Sequence, residues 1–202
     1  FISEDLLIAK VGNSFFTFVH FYFTLNIFTD DFTYVKGIYN DILITNLMSN
    51  EEFCKQFVNT FMDIANYNFN KDIVKEKLYK VTDNPSKKIV TFFENRFDYI
   101  TKYMADFFKL KGKLTNVTLN ITNPEQGTIK LNTLPDNITN SKWTGKYYTD
   151  YEITVTAIPK EGYSFAGWKI EGAEILGNKN SPTISVKLID NQDCSIEAIF
   201  IQ

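Results

Sequence analysis

The spacing of apolar residues changes once along the chain. Before Gly112 they recur every three or four residues, as on the buried face of a helix. After Leu114 they alternate with polar residues, as in a strand that is buried on one face. This change predicts an α+β fold, with a mainly helical domain over residues 1–113 and a small all-β antiparallel, sandwich-like domain over residues 114–202.

The first well-defined helix is predicted to begin at Ser49-Asn50-Glu51-Glu52. This segment has the form of a capping box, in which the serine hydroxyl accepts a hydrogen bond from a free amide and the glutamate reaches back. Apolar residues then follow at helical spacing over four turns, namely Phe53, Phe57, Phe61 and Ile64.

Two more helices are predicted before Gly112. One runs from residue 71 to 81 with Asn70 as its cap, and we expect it to bury Ile73, Val74 and Leu78. The next begins near Pro85 or Ser86, since proline suits a first helical turn. Gly112 is the expected left-handed residue at its end.

Residues 1–47 are harder to assign. Residues 4–11 are compatible with a short helix, and residues 41–48 are predicted to be helical. Residues 15–28 are rich in aromatic and β-branched side chains, so their length favours a helix and their composition favours a strand. We prefer the helix. The same run is too short and too polar to span a membrane.

Short strands are predicted throughout the second part. Turn residues such as Asn123 to Gly127 separate them, and the spacing is typical of a small sandwich or a barrel-like sheet. The predicted strands cover residues 117–121, 128–131, 152–158, 163–170, 183–188 and 195–200.

Composition supports this division and excludes some functions. Of 19 Phe, 17 precede Gly112, whereas 6 of 9 Gly follow it. A net charge of -3 argues against a dedicated nucleic-acid binder, which would carry a basic excess. The chain begins with Phe1 and not with Met, so we expect a fragment of a longer protein.

No group of residues has the spacing of a catalytic or metal site. His20 lies in an apolar run without an identifiable partner acid, and one histidine with two cysteines cannot build a multi-ligand zinc site. The acidic pairs Asp30-Asp31 and Glu51-Glu52 are explained as a turn and a helix first turn. Cys54 and Cys194 are expected to be free, buried thiols. We therefore predict no catalytic, cofactor-binding or metal-binding residue.

Aromatic side chains in the second part are the remaining candidates. Trp143, Tyr147, Tyr148 and Trp168 form the predicted interaction surface, because aromatic side chains can bind sugars or protein partners. Trp143 lies in a polar stretch and is expected to be exposed. The competing interpretation is that Phe165 and Trp168 form the core of a small domain.

The sequence does not decide on which face of its strand Trp168 lies. Tyr163 and Phe165 lie two residues apart and share a face. Trp168 should point to the opposite face unless Gly167 introduces a bulge.

Two blocks of residues in the helical part resemble a known family. Residues 47–53 with 66–69, and residues 92–100 with 107–112, resemble the C-terminal helical region of CotH-type spore-coat kinases. That family has an atypical kinase fold and uses ATP and a divalent metal. Its catalytic residues lie upstream of this region, so the resemblance transfers no catalytic residue, and it implies ATP and metal only for the parent protein.

The β part resembles a bacterial cell-surface repeat of the divergent internalin-B-repeat kind. The resemblance rests mainly on core residues and turn glycines. The matching segments are 127–129, 153–159, 162–168 and 195–200.

Together these resemblances imply a non-catalytic C-terminal fragment of a CotH-like kinase, located at the spore coat or cell surface of a Gram-positive bacterium. The β domain would be an attachment or interaction module, with coat or envelope proteins as partners and no nucleic acid. The alternative is a carbohydrate- or protein-binding surface module that the helices support. A small enzyme built on His20, Asp30 and Asp31 ranks last.

Overall fold

A computed structural model describes residues 46–135 and 142–202. Three helices lie wholly within these residues: α1 (Glu51–Asn68), α2 (Lys71–Val81) and α3 (Lys87–Phe108). Residues 46–48 are also helical, as predicted for the end of the segment 41–48. The predictions for residues 4–11 and 15–28 lie outside the described residues.

The chain divides into two compact units, Phe1–Phe57 and Val58–Gln202. Helix α1 contributes residues to both units, and the second unit holds α2, α3 and every described strand. The residue pair 113/114, where we place the domain boundary from sequence, lies inside this second unit, and the boundary stays a prediction.

Helix α1 begins one residue later than its capping box would require. The side chain of Asn50 accepts the hydrogen bond from the Phe53 amide at 3.0 Å, whereas the Ser49 hydroxyl donates to the Asn46 carbonyl. The predicted capping box is therefore wrong in its cap residue. Asparagine caps a helix as well as serine does, and Asn50 directly precedes Glu51, the first residue of the helix.

Helix α2 forms as predicted but buries less. Asn70 caps it by accepting from the amides of Asp72 and Ile73. None of its residues is buried, so the expected burial of Ile73, Val74 and Leu78 is wrong. These side chains are only half-buried, and a cavity of about 310 Å³ lies between α2 and α3.

Helix α3 begins close to the predicted position, with Ser86 as its cap and Pro85 outside the first turn, and it ends before Gly112. The left-handed residue is Lys109, with φ of 52°. Gly112 instead lies against Thr149 and Asp150, where an added Cβ would come within 2.3 Å of the threonine hydroxyl. Close packing, and not a helix stop, explains this glycine.

Eight strands form two four-stranded sheets in the second unit. Sheet A has the order β3-β1-β8-β5 and sheet B the order β2-β4-β7-β6. All neighbouring strands are antiparallel except β1 and β8, which are parallel. The strands are β1 (Leu114–Asn120), β2 (Gly127–Leu131), β3 (Lys142–Tyr148), β4 (Ile153–Pro159), β5 (Ser164–Glu171), β6 (Ala173–Leu176), β7 (Thr183–Leu188) and β8 (Cys194–Ile201).

The alternation of apolar residues places one face of each sheet in the core. Strand β1 alternates between half-buried and buried residues along its whole length, and β8 does so over most of its length. The two inner faces meet closely at Gly127 of sheet B, where an added Cβ would lie 2.5 Å from the Phe200 ring of sheet A. The α+β class and the sandwich predicted from the sequence are thus confirmed.

Strands β3 and β6 were not predicted. In β3 the inward positions are Trp143, Gly145 and Tyr147, so a glycine interrupts the apolar alternation. β6 has only four residues, which is too short for a clear pattern. Both are edge strands, where a weaker apolar pattern is expected.

Candidate functional site

Two of the four predicted interaction residues lie in the interior. Tyr147 has no exposed surface and Tyr148 is 6% exposed. The Tyr147 hydroxyl donates to the Asp63 carboxylate at 2.6 Å, and the Tyr148 hydroxyl donates to the Thr101 carbonyl at 2.7 Å. Neither side chain is available to a partner, because both join strand β3 to the helices.

The other two residues are half-buried and lie on opposite edge strands of sheet A. Trp143 on β3 stacks over Gly145, with its ring centre 6.5 Å from that of Tyr147. Trp168 on β5 donates its indole N–H to the Ser181 carbonyl at 2.9 Å. The four aromatic residues therefore do not form one common platform.

A register shift in β5 decides the orientation of Trp168. The shift lies between Phe165 and Gly167, which is the bulge that the sequence left open. It brings the rings of Phe165 and Trp168 to 5.3 Å, on the same face as their buried partners Phe200 and Ala198. The core interpretation of these two residues fits the structure better than an open binding surface.

Helix α1 presents a polar stripe to the strands. Asn59, Asp63 and Asn66 are buried and lie at helical spacing, so they share one face. Asn59 donates to the Glu152 carbonyl at 2.9 Å, just before β4. Asn66 makes two hydrogen bonds with the backbone of Lys146 in β3. We call these three residues the α1 stripe.

Asp63 is the centre of the stripe. Its Oδ1 accepts from the Tyr147 hydroxyl at 2.6 Å and the Asn132 amide at 3.3 Å, and its Oδ2 accepts from the Thr133 hydroxyl at 2.6 Å and backbone N–H at 2.8 Å. Burial raises the pKa of Asp63 to about 6, while these hydrogen bonds oppose the rise. The carboxyl group is therefore mainly ionised at neutral pH, with four donors around it.

A second set of hydrogen bonds fixes the chain between α3 and β1. The Asp150 carboxylate accepts from the amides of Lys111 at 2.8 Å and Gly112 at 2.9 Å. The amide of Lys113 donates to Thr149 at 2.8 Å and to Asp190 at 3.1 Å. These hydrogen bonds tie the connection between α3 and β1 to the loops after β3 and β7.

Most of the outer face of sheet A is open, but α3 covers its Tyr148 end, where Tyr148 bonds to Thr101 and Lys146 lies over the Phe97 ring. This face is mainly polar, and side chains on neighbouring strands are hydrogen-bonded to each other. Examples are Thr118 with Thr144 at 3.1 Å and Asn120 with Ser195 at 2.8 Å. The face includes two exposed apolar residues, Ile199 at 46% and Ile201 at 55%. From the strand registers the face comprises Lys142, Thr144, Lys146, Asn116, Thr118, Asn120, Ser195, Glu197, Ile199, Ile201, Ser164, Lys169 and Glu171.

The remaining candidates that the structure describes have structural positions. Glu51 and Glu52 lie in the first turn of α1, and Cys54 and Cys194 are free and buried as predicted. His20, Asp30 and Asp31 lie outside the described residues. Within residues 46–135 and 142–202, no three His, Cys, Asp or Glu side chains are grouped to hold a metal ion. No helix in that part of the chain has the length and apolarity that crossing a membrane requires.

One comparison with known proteins identifies the β part. Residues 117–202 match the family model described as the Divergent InlB B-repeat domain. The match begins inside β1 and covers all later strands, and it confirms the resemblance to a bacterial surface repeat. No curated protein and no solved structure matches the chain.

Sequence reasoning did not select the α1 stripe as a site. The signal was present, because three polar residues at positions 59, 63 and 66 follow one another on a helix that otherwise carries buried Val58, Met62 and Ala65. A polar face inside a helix with a buried apolar face indicates polar partners in the fold.

Proposed function

We propose that this chain is the non-catalytic C-terminal portion of a CotH-like protein kinase of the spore coat or cell surface, with its β domain serving as an attachment or interaction module. The match of residues 117–202 to a surface-repeat domain carries the module part of the proposal. The kinase part rests on the resemblance of residues 47–69 and 92–112 to the helical end of that family.

The geometry favours the outer face of sheet A as the attachment surface. It carries three lysines and two glutamates between neutral polar residues, and Ile199 and Ile201 at one end. A mainly polar surface that includes a small apolar patch is typical of a non-obligate protein interface. Coat or envelope proteins are the partners that this composition suits.

Binding to isolated spore coats or cell envelopes of a Gram-positive spore former tests the module. We expect the double variant Ile199→Ser/Ile201→Ser to lose most of the retention of the unchanged chain. Leu176→Ser is the matched control, because Leu176 is 40% exposed but belongs to sheet B. Equal retention of all three proteins, or no retention of the unchanged chain, would contradict the proposal.

Calorimetry with ATP and magnesium tests the non-catalytic part. Phosphoryl transfer needs a lysine, a catalytic base and metal-binding carboxylates held together. We expect no binding heat, and micromolar affinity would overturn this part. Kinase-type lysine and aspartate motifs encoded upstream of Phe1 would support the parent assignment, and an unrelated upstream sequence would remove it.

The alternative, a carbohydrate-binding module, has less support. Carbohydrate sites use exposed aromatic faces, but Tyr147 and Tyr148 are buried and the two tryptophans occupy opposite edges of sheet A. Titration of tryptophan fluorescence with soluble cell-wall polysaccharides separates the two cases. A saturable change would favour carbohydrate over protein as the partner.

A further inference from the structure

Strands β1 and β8 are the parallel pair in the centre of sheet A. They are neighbours in the order β3-β1-β8-β5, and residues 117–120 lie opposite residues 194–197. Because the pair is parallel, the first residue of β1 and the last residue of β8 lie at opposite ends of the sheet. The chain enters β1 at Leu114 and leaves β8 at Ile201. A pull between these two points therefore slides the two strands past each other along their axes.

Sliding loads the hydrogen bonds of a strand pair together, whereas peeling loads them one after another. Strands β5 and β8 are antiparallel, and Ser164 lies opposite Ile201, so a pull between these two residues separates that pair from one end. Forced unfolding is governed by the rate at which the structure opens. A pair that must lose several hydrogen bonds in one step opens more slowly under the same force. The direction of the pull therefore sets the resistance, in addition to the stability of the fold.

Side-chain hydrogen bonds reinforce the β1/β8 pair along its length. They join β1, or the residues after it, to β8 or the residues before it. The four bonds are Thr115 to the Gln192 carbonyl at 3.2 Å, Asn116 to Asp193 at 2.9 Å, Asn120 to Ser195 at 2.8 Å, and Thr122 to Glu197. These bonds stretch when β1 slides along β8, so they add to the resistance of the backbone ladder.

The proposed attachment surface places the β1/β8 pair in the path of a load. Its exposed apolar residues, Ile199 and Ile201, lie at the C-terminal end of β8. On the other side, α3 continues into β1 and also reaches β3, where the Tyr148 hydroxyl bonds to Thr101 of α3. Strand β1 lies between β3 and β8, so a load that enters sheet A from either strand reaches β8 across the β1/β8 pair.

We propose that the β1/β8 pair is a mechanical clamp, which carries tension between the helices and a coat or envelope surface held at the end of β8. The load in this proposal rests on the proposed attachment function, whereas the resistance of the pair to sliding follows from the strand directions alone. A module that attaches a protein to a surface must stay folded when the two are pulled apart. The clamp provides this property.

Single-molecule pulling on the full chain in two directions tests the clamp. Handles at Lys113→Cys and Gln202→Cys slide β1 along β8, and handles at Ser164→Cys and Gln202→Cys peel β5 from β8. These three positions are exposed, whereas Cys54 and Cys194 are buried, so the handles attach to the introduced cysteines. We expect sliding to need at least about twofold more force than peeling, because the bonds of four residue pairs break together.

Variants of the side-chain bonds locate the resistance. Asn116→Ala/Asn120→Ala removes two bonds along the β1/β8 pair, and we expect it to lower the sliding force and leave the peeling force unchanged. Thr183→Ala is the matched control, because it removes the side-chain bond with Thr156 at 3.0 Å, which lies in sheet B and outside the path of the load. It should change neither force.

Three results would overturn the clamp. These are a sliding force no higher than the peeling force, a sliding force that Asn116→Ala/Asn120→Ala leaves unchanged, and an equal loss of sliding force in Thr183→Ala, which would indicate general destabilisation. The pulling experiment needs no coat or envelope. It can therefore fail while the unchanged chain is still retained on envelopes, and a loss of that retention would instead contradict the attachment function.

Discussion

Adjacent tyrosines in β3 provide a direct measurement of what the buried Asp63 contributes. Tyr147 and Tyr148 are both buried and their hydroxyls donate over nearly equal distances, 2.6 Å and 2.7 Å. The acceptors differ, because Tyr147 bonds to the carboxylate of Asp63 and Tyr148 to the neutral carbonyl of Thr101. Replacing each by phenylalanine removes one hydroxyl and keeps the ring.

The expected costs follow from the charge of the acceptor. A hydrogen bond to a neutral group contributes about 1 kcal/mol to the free energy of unfolding, and one to a charged group about 2 kcal/mol. Tyr147→Phe also leaves Asp63 Oδ1 with only the 3.3 Å bond from Asn132 among its described partners. We therefore expect Tyr147→Phe to cost about twice as much as Tyr148→Phe.

Urea unfolding at pH 7.5 measures the two costs. Equal m-values for both variants and the unchanged chain would show that each protein exposes the same surface on unfolding, so that their unfolding free energies can be compared. A double-mutant cycle with Asp63→Asn isolates the pair, and we expect a coupling energy of about 1 kcal/mol between Asp63 and Tyr147. The same cycle between Asp63 and Tyr148 should give a value near zero.

Two results would refute this reasoning. A larger cost for Tyr148→Phe than for Tyr147→Phe would mean that the charge of Asp63 does not strengthen its hydrogen bond. A coupling energy of zero between Asp63 and Tyr147 would mean that the α1 stripe does not bind the strands as the hydrogen bonds indicate.

Three further predictions concern the same unit. The pKa of Asp63 is raised from 3.8 to about 6, so its contribution to stability is complete below pH 3.8 and is lost as the pH rises through 6. The unfolding free energy of the unchanged chain minus that of Asp63→Asn should therefore fall by about 2 kcal/mol between pH 4 and pH 7, and a flat difference would contradict the raised pKa. Gly127→Ala should destabilise the chain by about 2 kcal/mol in thermal unfolding, because its Cβ would lie 2.5 Å from the Phe200 ring, and an unchanged midpoint would show that the ring can move. Cys194 is 1% exposed and burial raises its pKa to about 12, so a thiol reagent should label it at least ~10-fold more slowly in the folded than in the unfolded chain; equal rates would exclude a buried thiol.

Local patterns predicted the elements that bury one regular face. The alternation at Val117 and Leu119 predicted β1, and Asn70 marked the start of α2. Patterns failed where a residue serves a distant partner. Gly112 looked like a helix stop, but it is small because Asp150 packs against it from 38 residues away. Gly145 interrupts the apolar alternation of β3 for a related reason. The side chains of Trp143 and Asn66 fill the space beside it and leave no room for a larger residue.

The candidate site shows the same division between local and distant information. Aromatic content alone grouped Trp143, Tyr147, Tyr148 and Trp168, yet burial removes the two tyrosines from the surface and strand order separates the two tryptophans. The spacing of the α1 stripe indicates a polar partner for Asp63, but nothing near it in sequence identifies that partner as Tyr147, 84 residues away.

The sequence by itself determined the helical and strand periods, the change between them near Gly112 and the resemblance to a surface repeat, since these depend on residues close in the chain. Only the tertiary structure decided that Asn66 bonds to the backbone of Lys146 in β3 and that Asp63 joins a helix to a sheet. The physical reason is that a buried polar side chain is stabilised by the partners that folding brings to it, and those partners lie 69 to 84 residues away.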